Sequence, residues 1–230
     1  MIDRRVALIS GASRGIGAAI GERLVQEGWA VSLGMRRPEQ PVWGPEAHLQ
    51  AYEATGAEAE ADWVAAALER FGRIDAVVAN AGIMLPKSVI EASGDEMRAM
   101  LEVNVLAPQR LAQAAWPALK ASGRGRVAIL ASLSGKRVKS ARAGAYAMSK
   151  FAAVALAHGL RHEGFEHGIR ATAICPGFVA TDMGTSLSDR PAEAMTNPKD
   201  LARIVAMILD LPNEASVAEF AVNCQLEESF

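Results

Sequence analysis

The sequence predicts a single α/β domain with a doubly wound, mostly parallel sheet of seven strands and helices on both faces. Three observations carry that reading. Short apolar or β-branched runs alternate with helical stretches along the whole chain. Alternation of this kind makes βαβ units and a parallel sheet. The runs are apolar throughout rather than at every second residue, as strands buried on both faces are. The first run ends in a glycine-rich turn that opens a helix. A length of 230 residues lies within what one α/β domain can fill.

In chain order, Val6–Ser10 is the first strand, and a helix runs from the glycine turn to about Gln26. Ala30–Gly34 is the second strand. The segment Arg36–Pro45 holds three prolines and reads as an irregular surface loop. A weaker strand lies near His48–Ala51, followed by a helix over Asp62–Phe71 and a strand over Ala76–Ala79. Glu58, Glu60 and Asp62 are expected to favour the dipole at that helix start and to face water. One long helix is predicted over Asp95–Ala121, then a strand over Arg126–Leu130, a helix over Tyr146–Glu163 and a strand over Arg170–Ile174. The last helix, Pro198–Asp210, has Asn197 as N-cap, proline at its first position and Asp200 in its first turn. Phe220–Val222 closes the sheet. There is no internal repeat and no low-complexity tract.

Half the residues are hydrophobic, 22% are charged and the net charge is −2. Such a chain offers neither nucleic acid nor an anionic membrane a basic surface, so a small organic partner is expected. The apolar stretch that starts at Val6 stops at a glycine after a few residues, too short for a leader or a span, and a cytoplasmic location is expected. Cys175 and Cys224 are far apart and read as two free thiols. His158 and His162 stand four residues apart, but no spacing places a third ligand, so no metal site is expected.

Two motifs carry chemistry. Ser10–Gly17 (SGASRGIG) has the spacing G-x-x-x-G-x-G between strand and helix. Glycines there permit a tight turn and let the backbone approach a pyrophosphate, while the helix start supplies free N–H groups. A purely structural turn could use the same glycines. Tyr146 and Lys150 stand at i and i+4, on one helix face. A phenol near a cation can give a proton to a carbonyl being reduced, although a lone Y-x-x-x-K arises by chance in many helices.

The glycine spacing resembles that of the short-chain dehydrogenase/reductase family, and the other family segments follow in order over almost the whole chain. Asn80-Ala81-Gly82, with Ala79 where the family often has a second Asn, is similar to the segment that lines the adenosine side. Phe71–Asp75 resembles the lead-in to that strand, with Asp75 structural. Pro176-Gly177-Phe178-Val179-Ala180-Thr181 resembles the loop in which main chain at Val179 and the Thr181 hydroxyl hold the nicotinamide carboxamide. Ser132 precedes Tyr146 by 14 residues, close to the family's usual separation, and is favoured over Ser134 because it lies three residues before Gly135.

The resemblance implies a Rossmann-like fold and four catalytic residues, Asn104, Ser132, Tyr146 and Lys150. Tyr146 would be the general acid or base, Lys150 would favour its phenolate, Ser132 would orient the substrate oxygen, and Asn104 would hold a relay water. It implies cofactor contacts at Gly11, Ser13, Arg14, Gly15, Ile16, Gly17, Arg36, Asn80, Ala81, Gly82, Tyr146, Lys150, Pro176, Gly177, Val179 and Thr181. The chain departs from the family after the second strand, where the stretch to Asp62 is short and the adenine-holding Asp has no counterpart other than Glu53.

An acid at the end of the second strand would bond the ribose hydroxyls of NAD(H), whereas arginine accommodates a 2′-phosphate. The acid's position is Met35, followed by Arg36 and Arg37, and Arg14 is a further cation aimed at the same place. NADP(H) is therefore the expected cofactor, with NAD(H) as the alternative. The expected function is hydride transfer between NADP(H) and a carbonyl or secondary alcohol. A non-catalytic NAD(P)-binding sensor is the rival, and the short chain disfavours a sugar-nucleotide epimerase. The apolar content of the helices Asp95–Ala121 and Tyr146–Glu163 predicts a homodimer or homotetramer. Substrate specificity is expected to lie in Ile83–Ala92, Gly135–Gly144 and Thr181–Ala194.

Overall fold

The computed structural model describes residues 3–56 and 58–226. Its strands are β1 (Val6–Ser10), β2 (Ala30–Met35), β3 (His48–Ala51), β4 (Ala76–Ala79), β5 (Arg126–Leu130), β6 (Arg170–Pro176) and β7 (Glu219–Val222). They form one sheet in the order β3-β2-β1-β4-β5-β6-β7. Every pairing is parallel, where the sequence predicts a mostly parallel sheet. Each residue of β1, β2, β4, β5 and β6 is buried, which is why these runs show no polar alternation. The weak run at His48–Ala51 is a true edge strand, and β2 reaches Met35, one residue past its predicted end. The Tyr52 N–H donates to the Met35 carbonyl and holds that end in place.

Helices α1 (Gly15–Gln26) and α7 (Pro198–Asp210) cover one face, and α2 (Ala59–Phe71), α4 (Ala107–Ala121) and α5 (Gly144–Gly164) cover the other. Alternate residues of β1 feed the two cores: Val6 and Leu8 pack under α2 and α4, and Ala7 and Ile9 under α1 and α7. The chain reverses its winding between β1 and β4, which leaves a crevice at the carboxyl ends of the strands. Caps follow the sequence signals. The Asn197 side chain accepts the Lys199 N–H at the start of α7, and Gly72 takes a left-handed conformation (φ 76°) to end α2. A short helix, α6 (Asp182–Ser186), follows β6. Among the described residues, no helix is long and apolar enough to cross a membrane.

The helix predicted over Asp95–Ala121 is broken. Helix α3 (Gly94–Leu101) starts on a capping box between Ser93 and Glu96, then a π-helical turn over Glu102–Leu106 leads into α4. Pro108 has no N–H to give to the Asn104 carbonyl four residues back, which favours the looser turn. Asn104 sits inside that turn.

The expectation that Glu60 faces water is wrong: it is 2% exposed. Its carboxylate accepts the Tyr52 hydroxyl at 2.8 Å and the Arg110 Nε–H at 2.9 Å. Arg110 also donates to Glu102 at 2.6 Å and to the Ala54 carbonyl at 2.8 Å. A buried acid must be paired, and α4 supplies the guanidinium that makes its burial tolerable. This network orders the short stretch after β3 that departs from the family pattern.

Candidate active site

A cleft of about 1020 Å³ opens at the carboxyl ends of the strands. It gathers residues predicted from segments far apart in sequence: Gly11, Ser13, Arg14, Gly15 and Ile16 from the first turn, Arg36 after β2, Asn80, Ala81 and Gly82 after β4, Ser132 after β5, Tyr146 and Lys150 on α5, and Pro176, Gly177, Val179 and Thr181 after β6. Of the predicted residues, Gly17 and Asn104 do not line it. Both lie directly behind its wall.

The first turn requires its glycines. Gly11 and Gly15 have φ of 66° and 58°. A Cβ at Gly17 would lie 2.4 Å from the Gly11 carbonyl oxygen and 2.5 Å from Asn80 Nδ2. The Asn80 amide donates to the Ser10 and Gly11 carbonyls at 3.0 and 3.1 Å, and the Ser10 hydroxyl accepts the N–H groups of Asn80 and Ala81. The Asn80 side chain therefore ties two turns together at the cleft wall. Arg14 is the N-cap residue of α1 but provides no side-chain cap, so the first N–H groups of the helix are left for a ligand. This cradle fits a dinucleotide pyrophosphate.

The cations beside it are arranged less simply than the sequence suggests. Arg14 is on the Asp182 carboxylate at 2.7 Å, across the cleft mouth. Arg36 lines the cleft, whereas Arg37 is exposed and does not. Met35 borders the cleft but is 3% exposed and packs in the core under α1. Glu53 lines the cleft between Tyr52 and Ala54.

At the other end, Ser132 starts a short 3-10 turn, and its hydroxyl accepts the Ser134 N–H at 3.1 Å. Ser132 lines the cleft with Tyr146, and its hydroxyl acts to lower the phenol's pKa against the larger effect of burial. Lys150 donates to the Leu130 carbonyl at 2.7 Å, with its Nζ 5.6 Å from the Tyr146 ring centre. Burial pushes the phenol up to about 12 and pulls the ammonium down to about 8. Lys150 therefore stays largely charged at neutral pH, but its charge does not by itself bring Tyr146 below the ordinary tyrosine range. Asn104 accepts the Ile83 N–H and donates to the Ile83 carbonyl and to the Ser149 hydroxyl, each at 2.9 Å. Gly82 packs closely on it, since a Cβ there would press on Asn104 Oδ1 at 3.2 Å and lie 3.6 Å from Lys150 Nζ.

Residues 5–192 match the sequence profile described as short chain dehydrogenase. The chain belongs to the short-chain dehydrogenase/reductase family. It is an oxidoreductase fold with NADP-bound structural neighbours. It is 38% identical over 229 residues to agropine synthesis reductase of Rhizobium rhizogenes, covering 96% of this chain and 53% of that protein. The chain thus spans about half the length of that relative. An alcohol dehydrogenase from the archaeon Thermococcus sibiricus, complexed with 5-hydroxy-NADP, superposes with a TM-score of 0.87 at 32% identity, covering 98% of this chain and 100% of that one. A metagenomic short-chain oxidoreductase in complex with NADP gives a TM-score of 0.81 at 29% identity, covering 95% and 96% of the two chains.

Sequence reasoning missed several residues around this dehydrogenase-type cleft. Asp182 follows the recognised Thr181 directly, yet nothing local marks it as the partner of Arg14. Tyr52 lines the cleft and is held there by its bond to Glu60, and only the departure from the family pattern hinted at it. His158 bonds Glu219 at 2.7 Å, which engages Lys136 as well. Among the described residues, no group of three or more His, Cys, Asp or Glu gathers as a metal site would. Cys175 is buried, and burial pushes its thiol up to about 11, so it is inert rather than nucleophilic.

Proposed function

We propose that this family member transfers hydride between NADP(H) and a carbonyl or secondary alcohol, with Tyr146 as the proton donor or acceptor. The observation that carries the reading is that Tyr146, Ser132 and a buried Lys150, with its Nζ 5.6 Å from the Tyr146 ring centre, share one cleft with the glycine cradle. The bound nicotinamide would supply or accept the hydride. Gly11, Ser13, Gly15 and Ile16 would hold its pyrophosphate, and Pro176, Gly177, Val179 and Thr181 its carboxamide end. Gly17, Asn80, Ala81 and Gly82 keep these walls in place, and Lys150 would bond the nicotinamide ribose.

The Ser132 hydroxyl would orient the substrate oxygen towards Tyr146. Tyr146 then gives that oxygen its proton during reduction, or takes it during oxidation. Burial alone disfavours the phenolate, so the positive field of Lys150 and of an oxidised nicotinamide must offset that cost. Asn104 would hold a relay water that connects Lys150 to solvent. The absence of an acid at Met35 and the presence of Arg36 and Arg14 favour NADP(H) over NAD(H).

Leu106, Met148 and Phe151 leave an exposed apolar surface along the π turn and α5, which suits pairing with a second copy as a homodimer or homotetramer. Light scattering at micromolar concentration tests that assembly. For the activity, a panel of ketones, aldehydes and alcohols is followed by nicotinamide absorbance. Turnover of at least one is expected. Tight NADPH binding with no turnover across the panel would leave a nucleotide sensor instead.

A further inference from the structure

The loop Gly135–Gly144 between β5 and α5 carries four cations, Lys136, Arg137, Lys139 and Arg142, and no acid, in a chain whose net charge is −2. Lys136 is turned onto Glu219. The other three line the cleft on the side of Ser132 and Tyr146. A cofactor phosphate does not account for them. The pyrophosphate cradle follows β1, two strands away in the sheet, and has Arg14 and Arg36 beside it.

Arg137 is already engaged within the protein, so the charge facing the cleft rests on Lys139 and Arg142. Among the described residues, neither makes an ion pair. Glu91, whose carboxylate accepts the Ser88 N–H at 3.1 Å, is the acid that feels Arg142 and offsets part of its charge without an ion pair. Met84, Phe178 and Met183 line the same cleft. Of the acids that line the cleft, Asp182 is on Arg14 and Glu53 lies beyond β2, which leaves Asp189 against Lys139, Arg142 and Arg137; this net positive edge suits a ligand that is negative at one end. Low-dielectric walls focus such a field, and it draws in anions faster than neutral compounds.

We propose that the substrate carries an anionic group, a carboxylate or a phosphate ester, in addition to its reacting carbonyl or hydroxyl, and that Lys139 and Arg142 receive that group at the cleft mouth. The proposal rests on the oxidoreductase reading above. Because both cations are exposed, the expected preference is modest, roughly three- to tenfold, and salt-sensitive.

The test compares wild type with the double variant Lys139→Ala/Arg142→Ala, each saturated with NADPH, on matched pairs. 4-Acetylbenzoate against methyl 4-acetylbenzoate probes a carboxylate, and dihydroxyacetone phosphate against dihydroxyacetone probes a phosphate. In wild type, kcat/KM is expected to favour the anionic member of at least one pair. That preference should shrink as salt is raised from roughly 20 to 300 mM. It should vanish in the double variant, whose NADPH dissociation constant stays within about twofold of wild type.

Equal or reversed preference in wild type overturns the proposal, and so does a variant that lowers both members alike. For a pair that is not turned over, each member is titrated into the NADPH complex and read by nicotinamide fluorescence. Selective binding of the anion then supports the site, and equal or absent binding of both members of both pairs overturns it. Selective anion binding without turnover of any carbonyl would reject the oxidoreductase reading and keep this one. Turnover of neutral ketones without anion preference would do the reverse.

Discussion

Arg14 Nη1 lies 2.7 Å from Asp182 Oδ2, an ion pair that joins the residue capping α1 to the first residue of α6 across the mouth of the cleft. Both side chains are largely exposed, so the pair contributes little stability. It matters for the proposed cofactor, because the 2′-phosphate of NADP(H) would have to share or displace Asp182 to reach Arg14. Asp182→Asn should therefore tighten NADPH binding roughly two- to fivefold and leave NADH unchanged, as read by fluorescence titration. Weaker NADPH binding would mean that the pair holds α6 in a position the cofactor needs.

Arg36 lines the cleft at the end of β2 and, among the described residues, makes no ion pair of the kind Arg14 makes with Asp182. Arg36→Ser should weaken NADPH by about tenfold, with NADH little affected. The familiar route to reversed preference, an acid at position 35, should cost this chain stability. Met35 is 3% exposed in the core under α1, and a carboxylate there would be desolvated. Met35→Asp should lower the denaturation midpoint before it gains NADH affinity, whereas equal midpoints would show that the carboxylate reaches water through the cleft that Met35 borders.

Tyr146→Phe deletes only the phenolic oxygen. It should abolish turnover and keep NADPH affinity within about twofold, because none of the pyrophosphate cradle is touched. Lys150→Ala should weaken both, since its ammonium also anchors the Leu130 carbonyl at 2.7 Å. Full activity in the Phe variant would remove Tyr146 from the reaction.

Burial pulls Lys150 from 10.5 to about 8, and the sign of its contribution to stability follows. Below about 8 the group is charged in both states, and the folded chain bears the whole desolvation cost. Between about 8 and 10.5 the folded state releases the proton while the unfolded state keeps it, so this contribution rises with pH. Tyr146, pushed up to about 12, acts oppositely above its ordinary value of 10.0. In urea melts without cofactor, wild type should gain on Lys150→Met by up to about 3 kcal/mol from pH 7 to pH 10.5. A difference independent of pH would contradict the shift.

Glu60→Ala would leave the Arg110 guanidinium without its main partner and the Tyr52 hydroxyl without an acceptor. A loss of about 2–4 kcal/mol is expected from chemical denaturation, less than for a fully enclosed pair because Arg110 reaches solvent. NADPH should bind more weakly too, since Tyr52 and Ala54 form part of the cleft wall. An unchanged denaturation midpoint would mean that the wall is held by packing alone.

What the sequence determined by itself is what repeats over short distances. Apolar runs, prolines and caps located the seven strands and most helices, because strand and helix periods are local properties of the chain. The glycine turn and the Tyr146–Lys150 spacing were legible for the same reason: a positive φ and a shared helix face involve residues a few positions apart. Tertiary structure decided the rest. Arg14 and Asp182 are 168 residues apart, and Glu60 and Arg110 are 50 apart, so neither partnership leaves a local trace. Glu60 at a helix start looks like a solvated acid. It is buried because α4 brings a guanidinium to it, and whether a charge can leave water depends on what the neighbouring element supplies. The π turn at Asn104 has the same origin. Pro108 removes one hydrogen bond locally, but the Asn104 side chain has its place only because Ile83 and Ser149, from two other segments, meet it there.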